Sequence, residues 1–127
     1  KDIVLCDTNI FIEFYKKNVK VVGVLEEIGQ NNIALSSVTA GELLFGARNK
    51  KELSQLKKDF QQLILLPLNE EISQKFLELM FTYVLSHRLS LPDALIASTA
   101  IVHNLELYTL NLRDFRFIQG LKLYDRE

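Results

Sequence analysis

The chain has 127 residues, 48% of them hydrophobic and 24% charged, a balance that favours one packed domain and excludes a disordered chain. With 15 basic and 16 acidic residues the net charge is −1, which excludes a protein that coats nucleic acid by bulk electrostatics; any polyanion must be gripped locally. Cys6 is the only cysteine, and no Cys/His cluster has zinc spacing, so a disulfide framework is excluded and a reducing, cytoplasmic setting is expected.

In chain order, Ile3 to Cys6 reads as a short apolar strand and Thr8 to Lys16 as a helix with Phe11, Ile12 and Tyr15 on one face, with Asp7 as the hinge between them. Val19 to Gly29 continues as a helix striped by Val21, Val24, Leu25 and Ile28, and Ile33 to Leu35 as the second strand, ended by Ser36 and Ser37. A helix is predicted over Thr39 to Ala47 with Glu42 in its first turn. An amphipathic segment follows from Lys50 to Gln62, then a third strand over Leu63 to Leu66 closed by Pro67. That apolar run is far short of the roughly 20 residues that cross a bilayer. Nothing reads as a signal peptide, although the chain opens on Lys1 and leaves room for residues before it.

Glu70 to His87 has the longest helical pattern, with Ile72, Phe76, Leu79, Met80, Tyr83 and Val84 on one stripe and Leu77, Phe81 and Leu85 on another. Two apolar stripes require a helix sandwiched within the monomer or covered by a second subunit. Pro92 suits the first position of the next helix, Asp93 to His103, which lacks a polar face and must be buried. Leu107 to Leu110 is the fourth strand, Asn111 to Phe117 a helical turn, and Leu121 to Tyr124 a possible fifth, edge strand. Continuous apolar strands alternating with helices predict an α/β fold, a parallel sheet of four to five strands with helices on both faces.

Asp7, Glu42, Asp93 and Asp114 each stand where an apolar segment meets a turn or a helix start. Sites in open parallel sheets form outside the carboxyl ends of strands, so one edge can gather all four. Carboxylates forced together repel unless cations lie between them, and hard oxygen ligands select Mg²⁺ or Mn²⁺. Each acid also fits a capping role: Thr39 to Glu42 has the form of a capping box, Ser90 to Asp93 and Asn111 to Asp114 place an acid at the equivalent position, and Asp7 can cap the first helix. A helix start also aims a carboxylate well, so the two roles are compatible.

The wording around these acids resembles a known family. Cys6-Asp7-Thr8-Asn9, Gly41-Glu42-Leu43, Pro92-Asp93-Ala94-Leu95-Ile96-Ala97 and Thr109-Leu110-Asn111-Leu112-Arg113-Asp114-Phe115 resemble, in order, the motifs of PIN-domain ribonucleases, across nearly the whole chain. Glu42 to Arg48 resembles the VapC toxins of bacterial and archaeal toxin–antitoxin pairs. The resemblance implies a PIN domain over residues 1–127, in which Asp7, Glu42, Asp93 and Asp114 bind one or two Mg²⁺ or Mn²⁺ ions and cleave RNA by metal-activated water, in structured tRNA or rRNA. It also implies a homodimer and a VapB-like antitoxin whose tail enters the acidic pocket. Thr8, Asn9, Thr109 and Asn111 are candidates for orienting waters or carboxylates, and Arg48, Lys50 and Lys51 for contacting phosphates. His87 to Leu91 stands where many relatives carry a glycine-containing loop. Two other functions remain open on sequence: a PIN-like module that binds RNA or protein without cutting, and a Mg²⁺-dependent phosphohydrolase with Asp7 as covalent nucleophile.

Overall fold

A computed structural model describes residues 2–125. Among them, strands β1 (Val4–Cys6), β2 (Ile33–Ser36), β3 (Ile64–Leu66) and β4 (Glu106–Tyr108) form one parallel sheet in the order β3-β2-β1-β4. The connections are α1 (Thr8–Tyr15) and α2 (Val19–Ile28), then α3 (Ser37–Phe45) and α4 (Lys50–Gln61), then α5 (Glu70–His87) and α6 (Leu91–Val102). Strand order runs outward from β1 to β3 and then returns to the other side of β1. The switch point, where ligands of open α/β sheets bind, therefore lies at the carboxyl ends of β1 and β4.

Alternation along the strands divides the core. Val4, Cys6, Ile33 and Leu35 face Ile10, Phe11, Val21, Leu25, Leu43 and Leu56 of α1 to α4. Leu5, Ala34 and Leu107 face Leu79, Ala94, Ile96, Ala97 and Ala100 of α5 and α6. Both faces are thus covered, as continuous apolar strands require. In α6 the small residues Ala94, Ala97, Ser98 and Ala100 are buried, and the hydroxyl of Ser98 donates 2.6 Å back to the Ala94 carbonyl, satisfying a polar group inside the core. No helix among the described residues is long and apolar enough to cross a membrane.

Several expected boundaries move, each for a local reason. Ser36 caps α3 by accepting from the Thr39 amide at 3.1 Å, so the helix starts at Ser37, the Thr39 to Glu42 capping box does not form, and Glu42 falls in the second turn. Ser90 likewise caps α6, which starts at Leu91 and puts Pro92 second rather than first. β4 ends at Tyr108 because the Thr109 side chain turns aside to Asp7 and accepts the Asn111 amide at 3.0 Å. The helical turn after it is a short 3₁₀ segment, Leu112–Asp114, with no side-chain cap from Asn111. Leu121 to Tyr124 forms a single parallel bridge, Leu107 with Leu123, rather than a strand.

The second stripe of α5 lies on the outside of the monomer: Phe81 and Leu85 are each 87% exposed and Leu77 is half exposed. After α5, Arg88 takes the left-handed conformation at φ 53° and ψ 41°, its amide closing the helix on the Val84 carbonyl. A side chain with a Cβ is strained there, which explains why a glycine suits this loop. Arg88→Gly is expected to raise the melting temperature by about 3 °C, read by thermal denaturation; a lower value would show that the arginine side chain outweighs its backbone strain.

Candidate metal centre

Asp7 follows the last residue of β1 and is only 5% exposed. Its amide continues the ladder to the Tyr108 carbonyl of β4 at 2.9 Å, which fixes it across the switch point. One carboxylate oxygen accepts the Thr8 amide at 2.7 Å, capping α1, and the other accepts the Thr109 hydroxyl at 2.8 Å. Capping and site-building thus fall to the same side chain. A buried carboxylate with two fixed donors is rigid, yet each oxygen keeps a lone pair for another partner.

Glu42 reaches the same edge from α3. Its Oε1 accepts the Thr8 hydroxyl at 2.6 Å. Behind it, the Thr8 and Thr39 hydroxyls are 3.0 Å apart and Ser36 lies 3.4 Å from Thr39, forming a chain of hydroxyls from the buried end of β2 to Glu42. Since each hydroxyl has one proton, donation from Thr8 to Glu42 makes Thr8 the acceptor from Thr39, and the chain runs one way. Sequence reasoning assigned Thr39 to a cap and Ser36 to a strand end. The signal available was a run of hydroxyl residues between an apolar strand and the helix bearing an acid.

Asp93 is half-buried in the first turn of α6, beside the capping Ser90, and Asp114 is exposed on the 3₁₀ turn beyond β4. The electrostatics place the four acids in one neighbourhood. Burial raises the Asp93 carboxyl to about 6, with the charges of Asp7, Asp114 and Glu42 adding to it against an opposing hydrogen bond from Ser90. Burial also raises Asp7, opposed by its bonds from Thr109 and Thr8 and reinforced by Glu42 and Asp114. Burial, and then the Asp7 charge, push the Cys6 thiol far up, so it is an inert core residue.

As the side chains stand, no three carboxylate, imidazole or thiol groups among the described residues close on one point tightly enough to hold an ion. The donor set nevertheless suits Mg²⁺ or Mn²⁺, being all carboxylate oxygen with neighbouring hydroxyls and no soft ligand. The two exposed members, Glu42 and Asp114, sit on the rim, where rotamer changes are least hindered.

The other expected site residues are distributed around this edge. Asn9 accepts the Leu110 amide at a long 3.5 Å, tying the start of α1 to the end of β4, while Asn111 is exposed and meets Thr109 through its backbone. Arg48 makes a two-pronged ion pair with Glu52, its Nη2 2.9 Å and Nε 3.2 Å from the same carboxylate oxygen, so its charge is already engaged. Arg48, Glu52, Lys16, Leu43 and Glu42 line a cleft of about 560 Å³ between α1, α3 and α4. Lys50 and Lys51 are exposed at the start of α4.

A doubly wound parallel sheet with acidic side chains drawn to its switch point defines the class: an α/β domain with an acidic carboxyl edge. The sequence profile of the PIN domain matches residues 4–120, and the chain belongs to the PIN-domain family. Its likeness is to the VapC branch. It is 32% identical to ribonuclease VapC1 of Methanocaldococcus jannaschii, covering 97% of this chain and 88% of that protein. To ribonuclease VapC19 of Mycobacterium tuberculosis it is 33% identical, covering 93% and 96%. Among solved structures, VapBC2 from Rickettsia felis bound to a DNA fragment from their promoter superposes with a TM-score of 0.82 at 28% identity, covering 98% of this chain and 99% of that one.

Because the Asp93 carboxyl is raised, the folded state binds its proton more tightly than the unfolded chain. Its contribution to stability is therefore intact below pH 4 and lost as pH rises through about 6. In EDTA at pH 7.5, Asp93→Asn is expected to melt roughly 3–6 °C above wild type, and the gap is expected to shrink as pH falls through about 6 and to vanish only below about pH 4, read by differential scanning calorimetry. A variant less stable than wild type at pH 7.5 would show that Asp93 is not strained by its neighbours.

Proposed function

We propose that this chain is a Mg²⁺- or Mn²⁺-dependent endoribonuclease, acting in the cytoplasm as the toxin of a toxin–antitoxin pair. The observation that carries the reading is the electrostatic coupling of Asp7, Glu42, Asp93 and Asp114 at the sheet's switch point, with the carboxyls of Asp7 and Asp93 both raised from their ordinary value by burial and by neighbouring acids. The relatives named ribonuclease VapC support the choice of RNA.

Asp7 and Asp93 are the principal ligands in this reading, for one or two ions, with Glu42 a ligand or the base that orients water and Asp114 a ligand directly or through water. A bound divalent ion supplies an acidified water and a positive centre for charge developing on the phosphate. The protein's own groups do the aligning. Thr109 and the Thr8 amide hold both oxygens of Asp7, and the Thr8 hydroxyl holds Glu42. Asp7, 5% exposed and engaged at both oxygens, is poorly placed for attack on phosphorus, which favours activated water over a covalent intermediate. Hydrolysis of this kind leaves a 5′-phosphate and a 3′-hydroxyl and does not use the 2′-hydroxyl, so preference for RNA must come from contacts. The cleft beside Glu42 and the cations Arg48, Lys50 and Lys51 are the candidates, and structured tRNA or rRNA loops the proposed substrates.

Asp7→Asn and Asp93→Asn are each expected to lower cleavage of total RNA by about 10²-fold or more, and EDTA to abolish it, measured by sequencing 5′-phosphorylated RNA ends. Cleavage that persists in EDTA would overturn metal dependence, and identical RNA ends from wild type and Asp93→Asn would favour a PIN-like module that binds without cutting.

Two partners belong to the proposal. A VapB-like antitoxin, supported by the likeness to VapBC2, would neutralise the acidic pocket with a basic side chain. A second copy would cover the exposed stripe of Leu77, Phe81 and Leu85 on α5. Phe81→Glu is expected to convert a dimer to a monomer in light scattering behind size exclusion; an unchanged mass would remove α5 from the interface.

A further inference from the structure

One aromatic cluster joins the end of α5 to the segment that follows Asp114. Asp93 lies six positions after His87, at the end of α5, and Phe117 three after Asp114. His87 and Phe117 stack with ring centroids 3.9 Å apart and an interplanar angle of 7°. Tyr83, one turn back on α5, meets both edge-on, at 5.1 Å from Phe117 and 5.8 Å from His87. Its hydroxyl accepts the Gln119 amide at 2.9 Å, tying α5 to the segment that follows Asp114. On the other side of that segment, Phe115 and Ile118 are buried in the core under α5 and α6. The connection from α5 to Asp93 is equally defined, since Leu89 is buried and Ser90 caps α6.

We infer that Tyr83 is a positioning residue for the acidic edge: its hydroxyl on Gln119 and its ring on Phe117 fix the segment that aims Asp114, from the same helix whose last turn leads to Asp93. The inference rests on the metal-dependent reading above. Asp114 is exposed and stands on a turn held locally by the Asp114 amide on the Asn111 carbonyl at 3.0 Å. The Phe115 and Arg116 amides close the same turn on the Leu112 carbonyl at 3.1 and 2.8 Å, so Tyr83 acts on Asp114 through the far end of this segment and donates nothing to the site itself. Loss of the Tyr83 hydroxyl leaves the rings packed and frees the Gln119 end, so the effect should appear in metal affinity before it appears in stability.

The test uses Tyr83→Phe, Asp114→Asn and the double variant, with Mn²⁺ as the probe. In Tyr83→Phe, amide hydrogen exchange over residues 115–119 is expected to quicken, and the Mn²⁺ concentration giving half of the thermal upshift to rise about 10-fold, while KM for RNA stays within about 2-fold of wild type. In the Asp114→Asn background, Tyr83→Phe should add no further change to that midpoint. An unchanged midpoint alongside a lowered melting temperature would make Tyr83 merely structural, and a full further rise in the double variant would show that it does not act through Asp114; either overturns the inference. If wild type itself gains no stability from Mn²⁺, the metal reading falls and the inference with it. A wild-type upshift that Tyr83→Phe shares unchanged defeats the inference alone.

Discussion

Burial of carboxylates at the carboxyl edge of the sheet, reinforced by their mutual repulsion, is the constraint on which this structure turns. Asp7 is almost wholly buried and Asp93 half so; burial raises the proton affinity of both, Glu42 and Asp114 add to each, and the Asp7 charge adds to Asp93. A buried charge without a counterion is costly, and like charges nearby add to that cost. The fold tolerates this because fixed donors surround the worst case: the Thr8 amide and the Thr109 hydroxyl for Asp7, Ser90 for Asp93 and Thr8 for Glu42.

The rest of the molecule supplies what that edge costs. Two separate apolar layers clamp the sheet, one under α1 to α4 and one under α5 and α6, so β1, β2 and β4 are held from both sides, while the edge strand β3 packs only through Ile64 and Leu66. Helix capping serves both ends at once. Asp7 satisfies the start of α1 and Ser90 the start of α6, and these caps are also the residues that direct or become the acidic groups. Stability and placement are coupled at the same atoms, so substitutions there read out in both.

Much of this was legible in the amino-acid order. Apolar runs such as Val4 to Cys6 and Ile33 to Leu35, each bounded by turn residues, read as short buried strands, and the periodicity of Glu70 to His87 matches the observed limits of that helix. The place of Asp7 at the carboxyl end of β1 was readable because it stands between an apolar run and a helix start, whereas Glu42 falls in the second turn of its helix rather than the first. What escaped was set by competition between equivalent local signals. Ser36 and Thr39 are both good caps, and nothing in sequence tells that Ser36 wins and releases Thr39 and Glu42 to the hydroxyl chain. Thr109 looked like strand because β-branched residues favour strands, yet Asp7, 102 positions away, claims its hydroxyl. Tyr83 was placed on the inner stripe of its helix correctly, but its bond to the Gln119 amide depends on tertiary packing that no local pattern encodes.

The strand order has a consequence for biosynthesis. β1 is translated first, but its neighbour β4 is made last among the strands, and the Thr109 hydroxyl that steadies Asp7 comes later still. A nascent chain therefore cannot assemble the acidic edge until β4 and the segment after it have been made. Closing the edge is thus a non-local step that the early strands cannot take alone.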